Sequence, residues 1–321
     1  MSDILGFSFE AVGPLLILLV IGYFLKRVGL IDTNMLDKSN KLVFRLFLPA
    51  RLFSDIYKMD FAQVFDLKLV FYAIGGIVTA ILIMLAFVPR FVHINGQRGS
   101  IIQAVYRGNY VIYAIPLAAN MFQSEGLGPT TMLLPVVMIL FNVFGVIILS
   151  IFSDKRDANQ TLLQDLRHTA VEIVKNPLII GSVAGIAFSL FHIPLPGVLA
   201  KSAEQIGSIG SPFALLLLGA QFDWARARGD VKMATIVSMI RLVLMPSLLL
   251  SVCILAGDFR GAQLGALFSL FCAPTAVSSY VMAKNMHNDA ELAGQLVIMT
   301  TLFSGFTIFL GIAVLRGLGL F

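Results

Sequence analysis

Four arginines, Arg45, Arg51, Arg107 and Arg241, stand inside long runs of apolar residues. A guanidinium in hydrocarbon costs roughly 3 to more than 10 kcal/mol, so each needs a cavity, a counter-charge or a route to the interface. Arg45 lies near the end of its run and can snorkel there. Arg51 has Asp55 one helical turn away, which makes an internal ion pair the plain explanation and a ligand contact the alternative. Arg107 adjoins a segment that reads as an interrupted helix, where its planar fork could grip a carboxylate through paired hydrogen bonds. Arg241, five residues before Pro246, is equally suited to bonding carbonyls freed by that proline and to touching a ligand. The chemistry these residues suit is recognition of an anion, with Arg107 the first candidate and Arg51 the second.

Asn109, Asn142, Thr275, Ser278 and Ser279 add neutral hydrogen-bonding groups at similar depth. They could orient a polar ligand or bond neighbouring helices, and Asn142 fits the second role better. Tyr106, Tyr110 and Tyr113 could flank a planar substrate or simply pack. Other chemistries lack their parts. His93, His168, His192 and His287 fall in loops or at the ends of runs, and Cys253 and Cys272 show no metal-ligand spacing, so no metal site or cofactor is expected. Neither a Walker loop nor a nucleophile–base pair is present, so an enzyme is not expected. Asp55 is the one plausible buried carboxylate, which argues against an acid-rich relay and leaves coupling to a proton or sodium unassigned.

The elements that must hold these groups follow from composition. Of 321 residues, 58% are hydrophobic and 13% charged, and the mean hydropathy is +0.90; no water-soluble domain hides that much apolar surface, so lipid is the expected solvent. A spanning helix needs about 20 apolar residues. Runs of that kind lie at roughly 8–26, 41–57, 67–88, 101–122 and 129–152, then at 170–192, 198–222, 233–256, 261–284 and 291–316. The expectation is an all-α membrane protein of ten transmembrane helices, in repeats at 1–152 and 170–321 joined by a polar cytoplasmic linker at 153–169.

Lysine and arginine number fourteen in loops after odd-numbered runs and five on the opposite side, counting Lys58, Lys68, Lys201, Arg260 and Arg316 there. The positive-inside rule then puts both termini outside the cytoplasm, in a multi-pass protein of the cell inner membrane. An odd number of runs per half makes the second repeat inverted. The formal charge of +5 forms no continuous stripe, so nucleic acid is not an expected partner; membrane lipid is.

One shift of 163 residues carries Pro14 onto Pro177 and Pro49 onto Pro212, and also Gly22 onto Gly185 and Leu52 onto Leu215. It carries Asn109 to Cys272, Val111 to Pro274 and Pro116 to Ser279. Runs 4 and 9 therefore hold interruptions at equivalent places, a pattern that points to the binding site of an inverted-repeat transporter. Proline removes an amide donor and displaces a carbonyl, and backbone so freed survives in a bilayer only where it lines a cavity or meets protein. Pro116 and Ser279 suit the starts of resumed half-helices, where partial positive charge would favour an anion. Pro49, Pro212 and Pro246, with Arg241, read as further helix-break or structural positions.

These residues resemble the auxin efflux carrier family, which includes plant auxin carriers and bacterial carriers of malonate and similar acids. The segment 40–53, NKLVFRLFLPARLF, is similar to the family's Asn-Lys-Leu-Val…Pro-Ala-x-x-Phe pattern, and Asn109 through Ile115-Pro116-Leu117 to its Asn…Gly-Ile-Pro-Leu stretch. Arg241-Leu242 with Pro246, and above all the segment 273–292, APTAVSSYVMAKNMHNDAEL, extend the likeness over nearly the whole chain. The resemblance implies an inverted-repeat fold in which broken helices 4 and 9 cross, a scaffold of spans 1, 2, 6 and 7, and a bundle of spans 3–5 and 8–10 that moves as an elevator. It also implies substrate contact by Asn109. Ala114 replaces the usual glycine, Ser279 stands where plant carriers have a second proline, and Arg107 has no counterpart in the plant pattern, which favours a smaller, more charged acid than auxin.

The function expected is secondary transport of a small organic anion, a malonate-like mono- or dicarboxylate or an auxin-like acid. The alternatives are an anion channel and a sodium-coupled organic-anion symporter of similar crossover fold. The expected binding set is Arg107, Asn109, Tyr110, Tyr113, Pro116, Arg51, Pro274, Thr275, Ser278 and Ser279, and a homodimer is an allowed assembly.

Overall fold

The computed structural model describes residues 2–58, 65–153, 171, 174–221 and 231–321. The expected linker, apart from Ser153, lies outside the described residues, as do Lys155, Arg156, Arg167, His168, Arg226 and Arg228. The described secondary structure is helical: α1 is Ser2–Arg27, α2 Thr33–Leu42, α3 Leu48–Lys58, α4 Leu67–Phe91, α5 Asn95–Tyr106 and α6 Ile115–Ile151. Then come α7, Pro177–Leu190; α8, Gly197–Ala220; α9, Val231–Met239; α10, Met245–Leu255; α11, Gly261–Cys272; α12, Val277–Asn285; and α13, Ala290–Gly317.

Helix starts are written locally. The carboxylates of Asp32, Asp66 and Asp289 accept from the amides of Met35, Leu69 and Leu292 at 2.6, 3.1 and 2.9 Å, each satisfying an otherwise orphaned first-turn donor. Asn176 does the same for Leu178, with Pro177 in the first helical position where its missing N–H is harmless.

Among the described residues, five stretches are individually long and apolar enough to cross a bilayer: Gly6–Arg27, Leu67–Phe91, Glu125–Ile151, Val231–Leu255 and Ala290–Gly317. The other apolar runs read from the sequence hold helices that are shorter, more polar or interrupted. Runs 4 and 5 are divided inside α6 by a kink at Gln123, whose φ of 51° no helix accommodates.

Among the described residues, three π-helical turns, Val43–Phe47, Tyr110–Ala114 and Ile240–Leu244, each end two residues before a proline, Pro49, Pro116 or Pro246. The cause is common to all. A proline ring clashes with the carbonyl four residues back, and one wider turn moves that carbonyl aside. In each case the residue before the proline donates to the carbonyl five back: Leu48 to Val43, Ile115 to Tyr110 and Met245 to Ile240. Against the expectation of a break, the helix therefore continues past Pro49 and Pro246, and α8 runs through Pro212.

Packing differs between two groups of helices. The helices α1, α3, α7 and α8 meet backbone to backbone: a Cβ at Gly22 or Gly219 would collide with the carbonyls of Leu216 or Leu19, and one at Gly181 would sit 2.7 Å from the Pro49 carbonyl oxygen. Lipid tails are as apolar as leucine, so such close approach through small residues is what holds membrane helices together. Elsewhere Gly76, Gly265 and Gly311 face side chains, the rings of Phe271, Phe122 and Phe268, while Gly126 in α6 meets the Ala118 carbonyl across the kink.

Candidate functional site

The two interrupted segments meet. α5 ends at Tyr106 and α11 at Cys272, and between these ends and the following turns the chains run extended past one another. The Asn109 amide donates to the Pro274 carbonyl at 2.7 Å, the Ala276 amide to the Arg107 carbonyl at 3.0 Å, and Gly108 pairs antiparallel with Thr275. Each break thus supplies partners for the other, as backbone removed from water requires.

Two side chains complete this accounting. Thr275 Oγ1 donates to the Ala104 carbonyl at 2.9 Å, while its amide donates to Thr300 Oγ1 at 3.0 Å. Arg241, 3% exposed, donates to the Val105 carbonyl at 2.6 Å and to the Ala273 carbonyl from both Nε and Nη2, at 3.0 and 2.5 Å. The carbonyls that Arg241 satisfies are those at the ends of the interrupted helices; proximity to Pro246 in sequence suggested the wrong set.

A cavity of about 550 Å³ lies against one side of the crossing. Arg107, Gly108, Asn109, Tyr110, Ala276, Val277 and Ser278 line its depth, and Lys26, Thr33, Asp37, Asn40 and Gln221 lie along its wall formed by α1, α2 and the end of α8. Phe141, Met138, Ile112 and Tyr280 make much of the remaining wall apolar.

Arg107 is 4% exposed. Its guanidinium donates to Ser278 Oγ from Nε and Nη2 at 3.3 and 3.2 Å, to Asn142 Oδ1 at 3.0 Å and to the Phe141 carbonyl, and lies 6.0 Å from the centre of the Phe141 ring. These partners are all neutral. The ion pairs among the described residues are Arg51–Asp55, Lys58–Glu204 and Arg260–Asp258, so neither Arg107 nor Arg241 faces a paired carboxylate there. Asn109 is 6% exposed, and its buried Nδ2 has no protein acceptor among the described residues. A cation lacking a counter-charge and an amide donor lacking an acceptor therefore line one cavity, and a carboxylate supplies what both lack.

Of the residues expected to bind substrate, Arg107, Asn109, Tyr110 and Ser278 line this cavity; Tyr113, Pro116, Arg51, Pro274, Thr275 and Ser279 do not. The Tyr110 hydroxyl donates to the Thr130 carbonyl at 2.6 Å, and that of Tyr113 accepts from Ser304 at 3.1 Å. Arg51 Nε pairs with Asp55 at 2.7 Å, which is the internal ion pair. Ser279 is not a cap: α12 begins at Val277 behind Ala276, without a side-chain cap bond, and Ser279 lies within its first turn. Asn142 bonds the Met138 carbonyl and Arg107, so it braces the cation. Sequence reasoning missed Asn40, Gln221, Tyr280 and Thr301 as cavity residues, because polarity within a run gives depth but not the direction a side chain faces.

Comparison with known proteins gives a consistent result. A family described as Mem_trans, membrane transport protein, matches residues 7–312. An uncharacterized transporter of Methanothermobacter thermautotrophicus is 23% identical over 299 residues, covering 92% of this chain and 95% of the relative. Another uncharacterized transporter, from Methanocaldococcus jannaschii, is 24% identical over 298 residues, covering 90% and 92%.

Proposed function

Because the chain belongs to the Mem_trans family of membrane transport proteins, the auxin efflux carrier family, we propose that it moves a small organic monocarboxylate across the cytoplasmic membrane by alternating access. The observation that carries this reading is the pairing of Arg107, a buried cation without an acid, with the unsatisfied Nδ2 of Asn109 in one cavity. The first turn of α12, at Val277 and Ser278, adds the partial positive charge of a helix start to the same wall. Charge counting favours one carboxylate over two. Lys26 and Asp37 offset each other along the cavity, which leaves Arg107 as the single uncompensated charge and a malonate-like dianion in excess. The apolar share of the wall suits a hydrocarbon body behind the carboxylate.

The proposed architecture is ten spans in two inverted repeats, with α1, α3, α7 and α8 in a scaffold and the other spans in a moving bundle. One feature supports the scaffold grouping: the backbone contacts that knit α1 to α8 and α3 to α7. The proposed access is from one side. Lys26 belongs to the loops whose positive excess assigns them to the cytoplasm, so the cavity opens inward. Phe7 lies 19 residues away along α1, about 28 Å at 1.5 Å per residue. At that end Arg316 stacks 3.8 Å from the centre of the Phe7 ring, Phe7 meets Phe122, and Asn120 Nδ2 donates to the Ala11 carbonyl at 2.9 Å. We read these contacts as the outer closure of an inward-facing state.

Proteoliposomes test the reading with labelled monocarboxylates from acetate to phenylacetate, with malonate as the dianion control. The expected result is saturable uptake and counterflow of at least one monocarboxylate, both lost in Arg107→Ala. A channel would show neither saturation nor counterflow, and transport confined to malonate would overturn the monocarboxylate assignment.

A further inference from the structure

Arg241 has no place in the cavity, yet its fork reaches both interrupted helices at once. The Val105 carbonyl closes α5 and the Ala273 carbonyl lies just past α11, and one guanidinium binds both through the three bonds at 2.5 to 3.0 Å described above. An uninterrupted helix would give the Val105 carbonyl the Asn109 amide, but that amide is turned to Pro274. Gly108 is part of the arrangement, since a Cβ there would collide with Arg241 Nη2.

The charge has a counterpart in these helix ends. A helix carboxyl end carries about −0.5 of an elementary charge, so α5 and α11 together bring about −1 to the crossing, next to the cavity that Arg107 and Asn109 line. No described carboxylate is paired with Arg241, so the helix ends are its counter-charge and it is theirs. Resting on the anion-binding reading above, we propose that Arg241 is a positioning residue for selectivity. It locks the two half-helices in register and cancels the negative ends that would otherwise repel an anion from the cavity. The crossing then presents to the cavity only its positive features, Arg107 and the start of α12.

The test compares each monocarboxylate of the panel with its own primary amide, phenylacetate with phenylacetamide for example, by competition against uptake of the best-transported acid. Wild-type protein is expected to prefer the acid. Arg241→Gln is expected to reduce the acid-to-amide preference about tenfold, the change produced by a unit charge at roughly 10 Å in an effective dielectric near 20. Arg241→Lys keeps the charge while losing the fork, and is expected to hold the preference within about twofold even where its thermal stability falls. A role in folding alone predicts lower stability in both variants with the preference unchanged, and that result in Arg241→Gln overturns the proposal. Loss of preference in Arg241→Lys overturns the charge argument by itself, which keeps the test decisive should Arg241→Gln fail to fold. If wild-type protein shows no preference for acids, the anion-binding reading fails first and this inference with it.

Discussion

At the scale of single residues, the account divides the buried arginines by what each one faces. Arg107 faces only neutral oxygens and a cavity, so Arg107→Lys, which keeps the charge and loses the fork, is expected to raise the half-saturation concentration about tenfold or more. Arg51 faces Asp55 outside the cavity. Arg51→Ala is therefore expected to lower the thermal midpoint while leaving the half-saturation concentration unchanged; a tenfold rise would return Arg51 to the binding site. That Arg107, Asn109 and Ser278 stand beside the interrupted segments is legible in the sequence, because a polar group inside an apolar run is costly wherever it is placed. The direction each faces is not. Thr275 and Tyr113 stand beside the same two breaks, but their hydroxyls are engaged by Ala104 and Ser304.

At the scale of elements, close packing and proline-widened turns decide which changes are tolerated. Gly22→Ala would press a methyl into the Leu216 carbonyl, which is backbone and cannot swing away, so a loss of about 1–3 kcal/mol is expected in thermal or denaturant unfolding. Gly75→Ala meets nothing within 4 Å and is expected to be neutral or to gain about 0.5–1 kcal/mol. Equal losses at both sites would contradict the packing argument. The proposed outer closure makes a separate prediction: Phe7→Ala removes the Arg316 stacking partner and is expected to shift the proposed alternating-access equilibrium outward by about threefold or more. A cysteine in place of Thr301, in a background lacking Cys253 and Cys272, reads this as faster labelling by an impermeant maleimide added outside. The breaks of runs 4 and 9 were legible because glycine, asparagine and proline sit where an apolar helix has no use for them. The response to Pro49 and Pro246 was not, since one π turn absorbs a proline without ending the helix, and the pattern around a proline does not say which of the two occurs.

At the scale of the whole molecule, the parts suit the proposed carrier, its proposed binding site lying where two interrupted helices exchange backbone hydrogen bonds. The arrangement gathers the positive features of one helix start and one guanidinium on the cavity side, and buries the carboxyl ends of two half-helices around Arg241. The crossing ties residues 107–109 to 274–276, so the bundle movement proposed above would carry the site with it intact. The most direct measurement is a cryo-electron microscopy structure with the monocarboxylate that gives the largest thermal shift. The account predicts density for its carboxylate within hydrogen-bonding distance of Arg107 and Asn109 Nδ2, beside the start of α12. Density in any other place, or continuous helix through 107–109 and 273–276, would contradict it.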